Sequence, residues 1–244
     1  MTIPDRTQLF KDHVPPWYRA HGRAFPWRGT GDPYRTLVAE RMLHRTIARQ
    51  VVPVYDAFLA RYPTIDDLAT ADPAAVGALL APLGLSWRVA SFIPMARRIV
   101  DDHDGQVPRT MDDLLALPGV GPYVASAVLA FAYHEPVAVV DTNTIRVAGR
   151  YLIGIAWVGD QRKRKDVRAA VSSLLDTRHA AEANYGILDL GATICVVRDP
   201  SCPHCPVALG CMLGTQRLGL PLPEVVAGDQ PNESTRRVKR MISS

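Results

Sequence analysis

Apolar side chains recur at helical spacing along most of the chain. Ile47, Val51, Val54 with Tyr55, and Phe58 repeat three or four residues apart, which predicts an amphipathic helix through residues 47–62. Asp72 followed by Pro73 reads as an N-cap and a first helical position, opening an apolar helix through residues 74–83. A shorter helix is predicted over residues 111–117, with Asp112 and Asp113 in its first turn, where acidic side chains favour the helix dipole. Pro122 opens another, through Tyr133. Only Val137-Ala138-Val139-Val140 reads as strand, and no second segment of that type stands nearby to pair with it. The pattern therefore predicts an all-α fold with loops punctuated by glycine and proline. No internal repeat is visible, and from about Leu218 the periodic apolar residues thin out into an expected flexible, basic tail.

Composition adds limits. At 244 residues the chain is long enough for one large domain or two small ones, and its 48% hydrophobic and 21% charged residues match a soluble globular protein. No apolar run approaches the roughly 18 residues of a membrane span. The N-terminus lacks a basic segment followed by an apolar core, so a cytoplasmic protein is the default expectation. A net charge of +4 gives weak support for a nucleic-acid partner. Its distribution says more: Arg88, Arg97 and Arg98 lie close together, Arg162 to Lys165 form a run, and Arg236, Arg237, Lys239 and Arg240 crowd the tail. Such runs most often form a solvated face.

Candidate chemistry begins at Leu117-Pro118-Gly119-Val120-Gly121-Pro122-Tyr123, between two predicted helices. Two glycines around one apolar residue allow a tight turn and close backbone approach, with Val120 packing inward. The first-turn amides of the following helix then face outward for one phosphate oxygen, without reading sequence. An ordinary helix–turn–helix connection has the same spacing. Asp141, 18 residues after Tyr123, precedes the helical pattern Thr142-Asn143-Thr144-Ile145-Arg146-Val147 and reads as its N-cap. A carboxylate there suits the positive end of a helix dipole.

All four cysteines, Cys195, Cys202, Cys205 and Cys211, fall in a 17-residue window, separated by six, two and five residues. Scattered structural thiols would not bunch in this way, and four thiolates in one short segment can wrap one metal centre, either a zinc ion or an iron–sulfur cluster.

Hairpin, aspartate and cysteine spacing together resemble the helix-hairpin-helix DNA glycosylases of the endonuclease III and adenine glycosylase (MutY-type) superfamily. The resemblance runs from about Pro15 to Met212 and includes Trp17-Tyr18, Phe25-Pro26-Trp27-Arg28, Asp32-Pro33-Tyr34 and Ala39-Glu40-Arg41-Met42-Leu43-His44-Arg45-Thr46. It implies two helical domains: a six-helix barrel with the hairpin over residues 29–135, and an iron–sulfur domain from residues 1–28 and 136–217. The active site is then expected in the cleft between them, with residues 218–244 as a tail. It implies a [4Fe–4S] cluster on the four cysteines, in a mainly structural role that lets neighbours such as Arg198 meet phosphate. The partner implied is double-stranded DNA carrying a mismatched or damaged base, the enzyme acting as a monomer in base excision repair.

The resemblance also distributes roles. Gly119, Val120 and Gly121 would grip the DNA backbone. Asp141 would stabilise the positive charge that develops on the sugar as the base departs, or activate the attacking water. Asn143 would orient that water or a flanking phosphate. Glu40, on an apolar helix face, falls where the adenine branch carries the acid that meets the departing base; a glutamate is costly to bury unless protonated or paired, and a protonated one can donate. A surface glutamate on an amphipathic helix is the plainer reading of the same residue. Bifunctional members carry lysine at position 123, which attacks the sugar and cleaves the strand. Tyr123 lacks that amine, so the expected product is an intact abasic strand.

Short length and the segment from Met42 to Thr46 point to the thymine or uracil mismatch branch. His44 and Arg45 stand where the adenine branch carries glutamines; Arg45 would reach the widowed base, and arginine pairs well with guanine acceptors. Leu85, after Leu83-Gly84, matches the wedge leucine of endonuclease III, which helps hold a flipped nucleotide out of the stack. The alternatives are an adenine glycosylase acting opposite guanine or oxidised guanine, and a non-catalytic iron–sulfur DNA-binding protein. Glu40 together with Asp141 argues against the last, since binding alone requires neither.

Overall fold

The computed structural model describes residues 5–44, 46–84, 89–154 and 165–221. Its α-helices are α1 (Arg6–His21), α2 (Pro33–Leu43), α3 (Ala48–Arg61), α4 (Ile65–Ala69), α5 (Pro73–Leu80), α6 (Phe92–His103), α7 (Met111–Ala116), α8 (Pro122–Phe131), α9 (Thr142–Ile153), α10 (Lys165–Ser173), α11 (Ala180–Thr193) and α12 (Met212–Arg217). No strand occurs among the described residues, so the all-α expectation holds. The chain divides into two compact units, residues 24–135 and residues 1–23 with 136–244.

Local chemistry sets many of the helix starts. The Asp72 side chain accepts from the N–H groups of Ala74 and Ala75, with Pro73 at the first helical position, as the sequence pattern predicts. Asp32 caps α2 in the same manner, also before a proline. Thr64 opens α4 with a capping box closed by Asp67. Thr110 caps α7, whose acidic first-turn residues are Asp112 and Asp113.

In the unit of residues 24–135, α2 and α8 are the central rods. Tyr34 and every residue from Thr36 to Met42 are buried in α2, as are Val124 to Phe131 in α8. These two pack on each other, α8 through an almost wholly apolar surface and α2 with Thr36, Glu40 and Arg41 buried among its apolar residues. Around them α3 contributes Val51, Tyr55 and Phe58, and α6 contributes Phe92, Met95 and Ile99. The Phe58 and Phe92 rings meet at 5.6 Å.

The other unit joins both ends of the chain. Phe10 and Val14 of α1 share a core with Ile145 and Tyr151 of α9, Val171 and Leu174, and Ile187 and Leu190 of α11. Phe10 meets Tyr151 edge-on at 4.8 Å. Residues 137–140, the one segment that reads as strand, run through this unit without a ladder. Their place is taken by Asn184 of α11, fully buried, which donates to the Val137 carbonyl (2.9 Å) and accepts from the Val139 N–H (2.8 Å). An apolar, β-branched run thus stays extended because one side-chain amide substitutes for a partner strand. The basic tail expected from Leu218 falls largely on residues 222–244, outside those described.

Asn184→Ala is therefore expected to destabilise the protein by about 2–4 kcal/mol, since it strands a buried N–H at Val139 and a partly buried carbonyl at Val137. The midpoint of urea unfolding measures this, and a shift worth less than about 0.5 kcal/mol would show that the amide is dispensable.

Candidate active site

The hairpin between α7 and α8 is built as a tight turn. The Val120 N–H donates to the Leu117 carbonyl at 3.1 Å, and both side chains are buried. Gly119 adopts φ +74°, which side chains rarely tolerate. Gly121 has φ −105° and ψ 178°, open to any residue, and a Cβ there would meet no atom of the described residues within 4 Å. Internal packing therefore gives no reason for glycine at position 121, whereas an external group approaching the backbone does. No side chain caps the start of α8, and Pro122 supplies no N–H. This is the surface an anion needs.

The same unit holds Glu40 and Tyr123. Glu40 is 3% exposed, within the buried stretch of α2 from Thr36 to Met42. Tyr123 sits in the first turn of α8, partly exposed. His44, half-buried, ends α2 at its C-cap. The two residues expected to enter the DNA stack, Arg45 and Leu85, lie outside the described residues.

Asp141 belongs to the other unit and caps α9, as its spacing predicts. Its Oδ1 accepts from the Thr144 N–H at 2.7 Å, while the Thr144 hydroxyl accepts from the Asp141 N–H at 2.9 Å, completing a capping box. Its Oδ2 accepts from the Asn143 side-chain amide at 2.8 Å. Asn143 is itself held, its Oδ1 accepting from Arg146 Nη2 at 2.8 Å. The same guanidinium donates to the carbonyls of Cys195 (2.8 Å) and Gly191 (2.6 Å). Burial pushes the Arg146 pKa down from its ordinary value. Sequence reasoning places Asn143 near Asp141 but misses Arg146 and Gly191. The available signal is Arg146 and Arg150, one helical turn apart on an otherwise apolar helix.

Arg150 grips the start of the cysteine loop. It donates to the carbonyls of Cys195, Val196 and Val197 and lies 3.4 Å from the Cys195 Sγ. Downstream, tight 3₁₀ turns over Cys202–His204 and Ala208–Gly210 bring the remaining cysteines round. Cys205 and Cys211 pack against the same core as Cys195. Burial pushes the Cys205 thiol up to about 12 and Cys211 up to about 11, and the charges of neighbouring cysteines add to both. A cationic centre would offset that penalty on their thiolates. Among the described residues, no three His, Cys, Asp or Glu side chains close around a single metal ion.

Comparison with known proteins agrees with this layout. The helix-hairpin-helix motif family matches residues 102–131. A thymine-DNA glycosylase from Aeropyrum pernix is 39% identical over 210 residues, covering 83% of this chain and 92% of that protein. A thymine/uracil-DNA glycosylase from Pyrobaculum aerophilum is 36% identical over 207 residues, covering 82% and 88%. An adenine DNA glycosylase from Mycobacterium tuberculosis is 39% identical over 193 residues, covering 78% of this chain but 63% of its own length. The solved structure of a thermostable thymine-DNA glycosylase matches with a TM-score of 0.80 at 31% identity, covering 86% of this chain and 97% of that one. The chain belongs to the helix-hairpin-helix DNA glycosylases, enzymes that cleave the N-glycosidic bond of DNA. Within that family its likeness is to the thymine/uracil branch, whose members it matches nearly end to end.

A Cβ added at Gly191 would fall 2.7 Å from the Cβ of Asn143. Gly191→Ala is expected to cost about 1–3 kcal/mol through overpacking. Combining it with Asn143→Gly should cost less than the sum of the two changes, a coupling read from a double-mutant cycle of unfolding free energies. Strict additivity would mean that the two residues do not press on each other.

Proposed function

We propose that this protein is a monofunctional glycosylase that flips thymine or uracil, mispaired with guanine, out of double-stranded DNA and removes it by hydrolysis. The observation that carries the substrate reading is likeness: a thymine-DNA glycosylase is 39% identical over 210 residues, a thymine/uracil-DNA glycosylase 36% over 207, and a solved thymine-DNA glycosylase matches with a TM-score of 0.80. Guanine as the opposite base rests on the arginine at position 45, whose fork suits guanine acceptors. Leu85 fills the vacated stack, and His44 meets the DNA beside Arg45. The chain acts as a monomer, its barrel domain at residues 29–135 and its cluster domain at residues 1–28 and 136–217.

The reaction follows from the side chains present. Hairpin amides around Gly119, Val120 and Gly121 hold one phosphate and leave the bases unread. Glu40, buried on α2, meets the departing base and supplies or shares its proton. As the bond from base to sugar breaks, positive charge grows on the deoxyribose, and the Asp141 carboxylate lies ready to stabilise it or to take a proton from the attacking water. Water's oxygen joins the sugar carbon, the base leaves with a proton, and an abasic site remains. Asn143, with its amide engaged at Asp141 and Arg146, serves to aim the carboxylate. Tyr123 has no amine for a Schiff base, so the strand stays whole.

Cys195, Cys202, Cys205 and Cys211 are the ligand set for a [4Fe–4S] cluster, a group that supplies cross-linking and charge to the loop. The chain's own part would be to carry all four thiols on one loop that Arg150 fixes at its start.

The test is a panel of duplexes carrying G·T, G·U, A·G, or adenine opposite oxidised guanine, each followed by alkali. Alkali-labile sites are expected in G·T and G·U; none in any duplex would overturn the enzyme reading, and selective A·G cleavage would favour the adenine branch. Strand breaks before alkali would contradict the role of Tyr123. Asp141→Asn should lower turnover by at least about a hundredfold while duplex binding persists. Protein purified without oxygen should show the broad brown absorbance of an iron–sulfur centre, and Cys202→Ala should lose it.

A further inference from the structure

We infer that Arg41 is the positioning residue of the hairpin, fixing the turn in its phosphate-gripping shape before DNA arrives; this rests on the hairpin being the backbone grip. Arg41 lies on α2, beside Glu40, and is only 4% exposed. One guanidinium nitrogen, Nη1, donates to the Gly119 carbonyl, and the other, Nη2, donates to the Ser91 hydroxyl. The guanidinium carbon lies 5.4 Å from the centre of the Phe92 ring. Three elements thus meet on one side chain: the central helix, the head of α6 and the hairpin.

The turn is shaped to this seat. Gly119 is its left-handed residue, and a Cβ there would fall 2.6 Å from Arg41 Nη2, 2.6 Å from Ser91 Oγ and 2.9 Å from Arg41 Cζ. Glycine at 119 is therefore required twice, by backbone angle and by the guanidinium packed against it. Gly121, two residues on, faces open space. The turn has one side bolted to the protein and one side left for the ligand. A flexible turn would spend binding energy on its own ordering, whereas a fixed one presents its amides ready. Arginine suits the position because its planar fork reaches two acceptors at once, while lysine offers a point charge on a flexible stem.

Duplex affinity as a function of salt tests this in the full-length protein. Loss of one phosphate contact lowers the slope of log K against log salt by about 0.9, and affinity by about tenfold. R41M is expected to show both changes. R41K, which keeps one donor, should recover part of the affinity. A side chain that only supports the core would lower the unfolding midpoint and leave affinity and salt slope of the folded protein unchanged, and that result would overturn the proposal. Should R41M fail to fold, S91A, which removes one of the two anchors, carries the same test: loss of affinity and slope supports the seat, and no change overturns it. G121E checks the underlying reading, since a carboxylate at the open face should repel phosphate. If G121E leaves affinity and slope intact, the hairpin is not the grip and the reading beneath fails. If G121E weakens binding and neither R41M nor S91A does, only the role of Arg41 fails.

Discussion

The functional turns of this protein are held by buried guanidiniums that donate to main-chain carbonyls. A helical chain leaves the carbonyls of its turns without ladders, and buried ones must find donors elsewhere. Arg6 supplies Gly210 and Tyr151; Arg41 supplies Gly119; Arg146 supplies Gly191 and Cys195; Arg150 supplies Cys195, Val196 and Val197. Each is buried. A buried charge is tolerated only where its donors are used, so these contacts enforce geometry more than they add stability. Arginine fits the task because five N–H groups on a rigid plane can satisfy several carbonyls from one position.

Much of the frame was legible in the residues. Proline after aspartate marked α5, glycine around an apolar residue marked the hairpin, and Asp141 before an apolar stripe marked a capped helix. The cysteine spacing marked one loop, whose start Arg150 holds. All of these signals are local, carried by residues a few positions apart. The arginine seats were not legible for the opposite reason. Arg41 and Gly119 are 78 residues apart, and Arg146 and Cys195 are 49 apart. In a sequence, an arginine counts toward a basic surface, and nothing nearby shows whether a distant carbonyl awaits it. Residues 137–140 misled in the same way, because the amide that replaces a partner strand comes from Asn184, 45 positions beyond Val139.

The two hairpin glycines show how close packing separates look-alike residues. By composition Gly119 and Gly121 are equivalent, and a Gly-x-Gly pattern treats them so. The fold splits them: Gly119 is crowded by Arg41 and Ser91 at a left-handed backbone, and Gly121 is ordinary in angle with empty space beside it. One is explained entirely by the protein and the other only by something outside it. A glycine that internal sterics do not require is thus the more informative of the pair about a ligand.

The same reasoning applies to Asp141, whose two oxygens are constrained from different sources. Oδ1 is engaged by its own helix through Thr144, so α9 alone fixes where the carboxylate begins. Oδ2 is engaged by Asn143, whose amide is fixed by Arg146, which is fixed by the carbonyls of Gly191 and Cys195. A capping aspartate needs only the first of these. The second chain is surplus to helix stability, and its effect is to remove the rotation about the carboxylate that a cap would leave free. In the role proposed for Asp141, an anion gains from being held in place beforehand, since no reorganisation is then needed as positive charge appears. The plane of Asp141 is therefore set by the first residue of the cysteine loop as much as by the helix it caps.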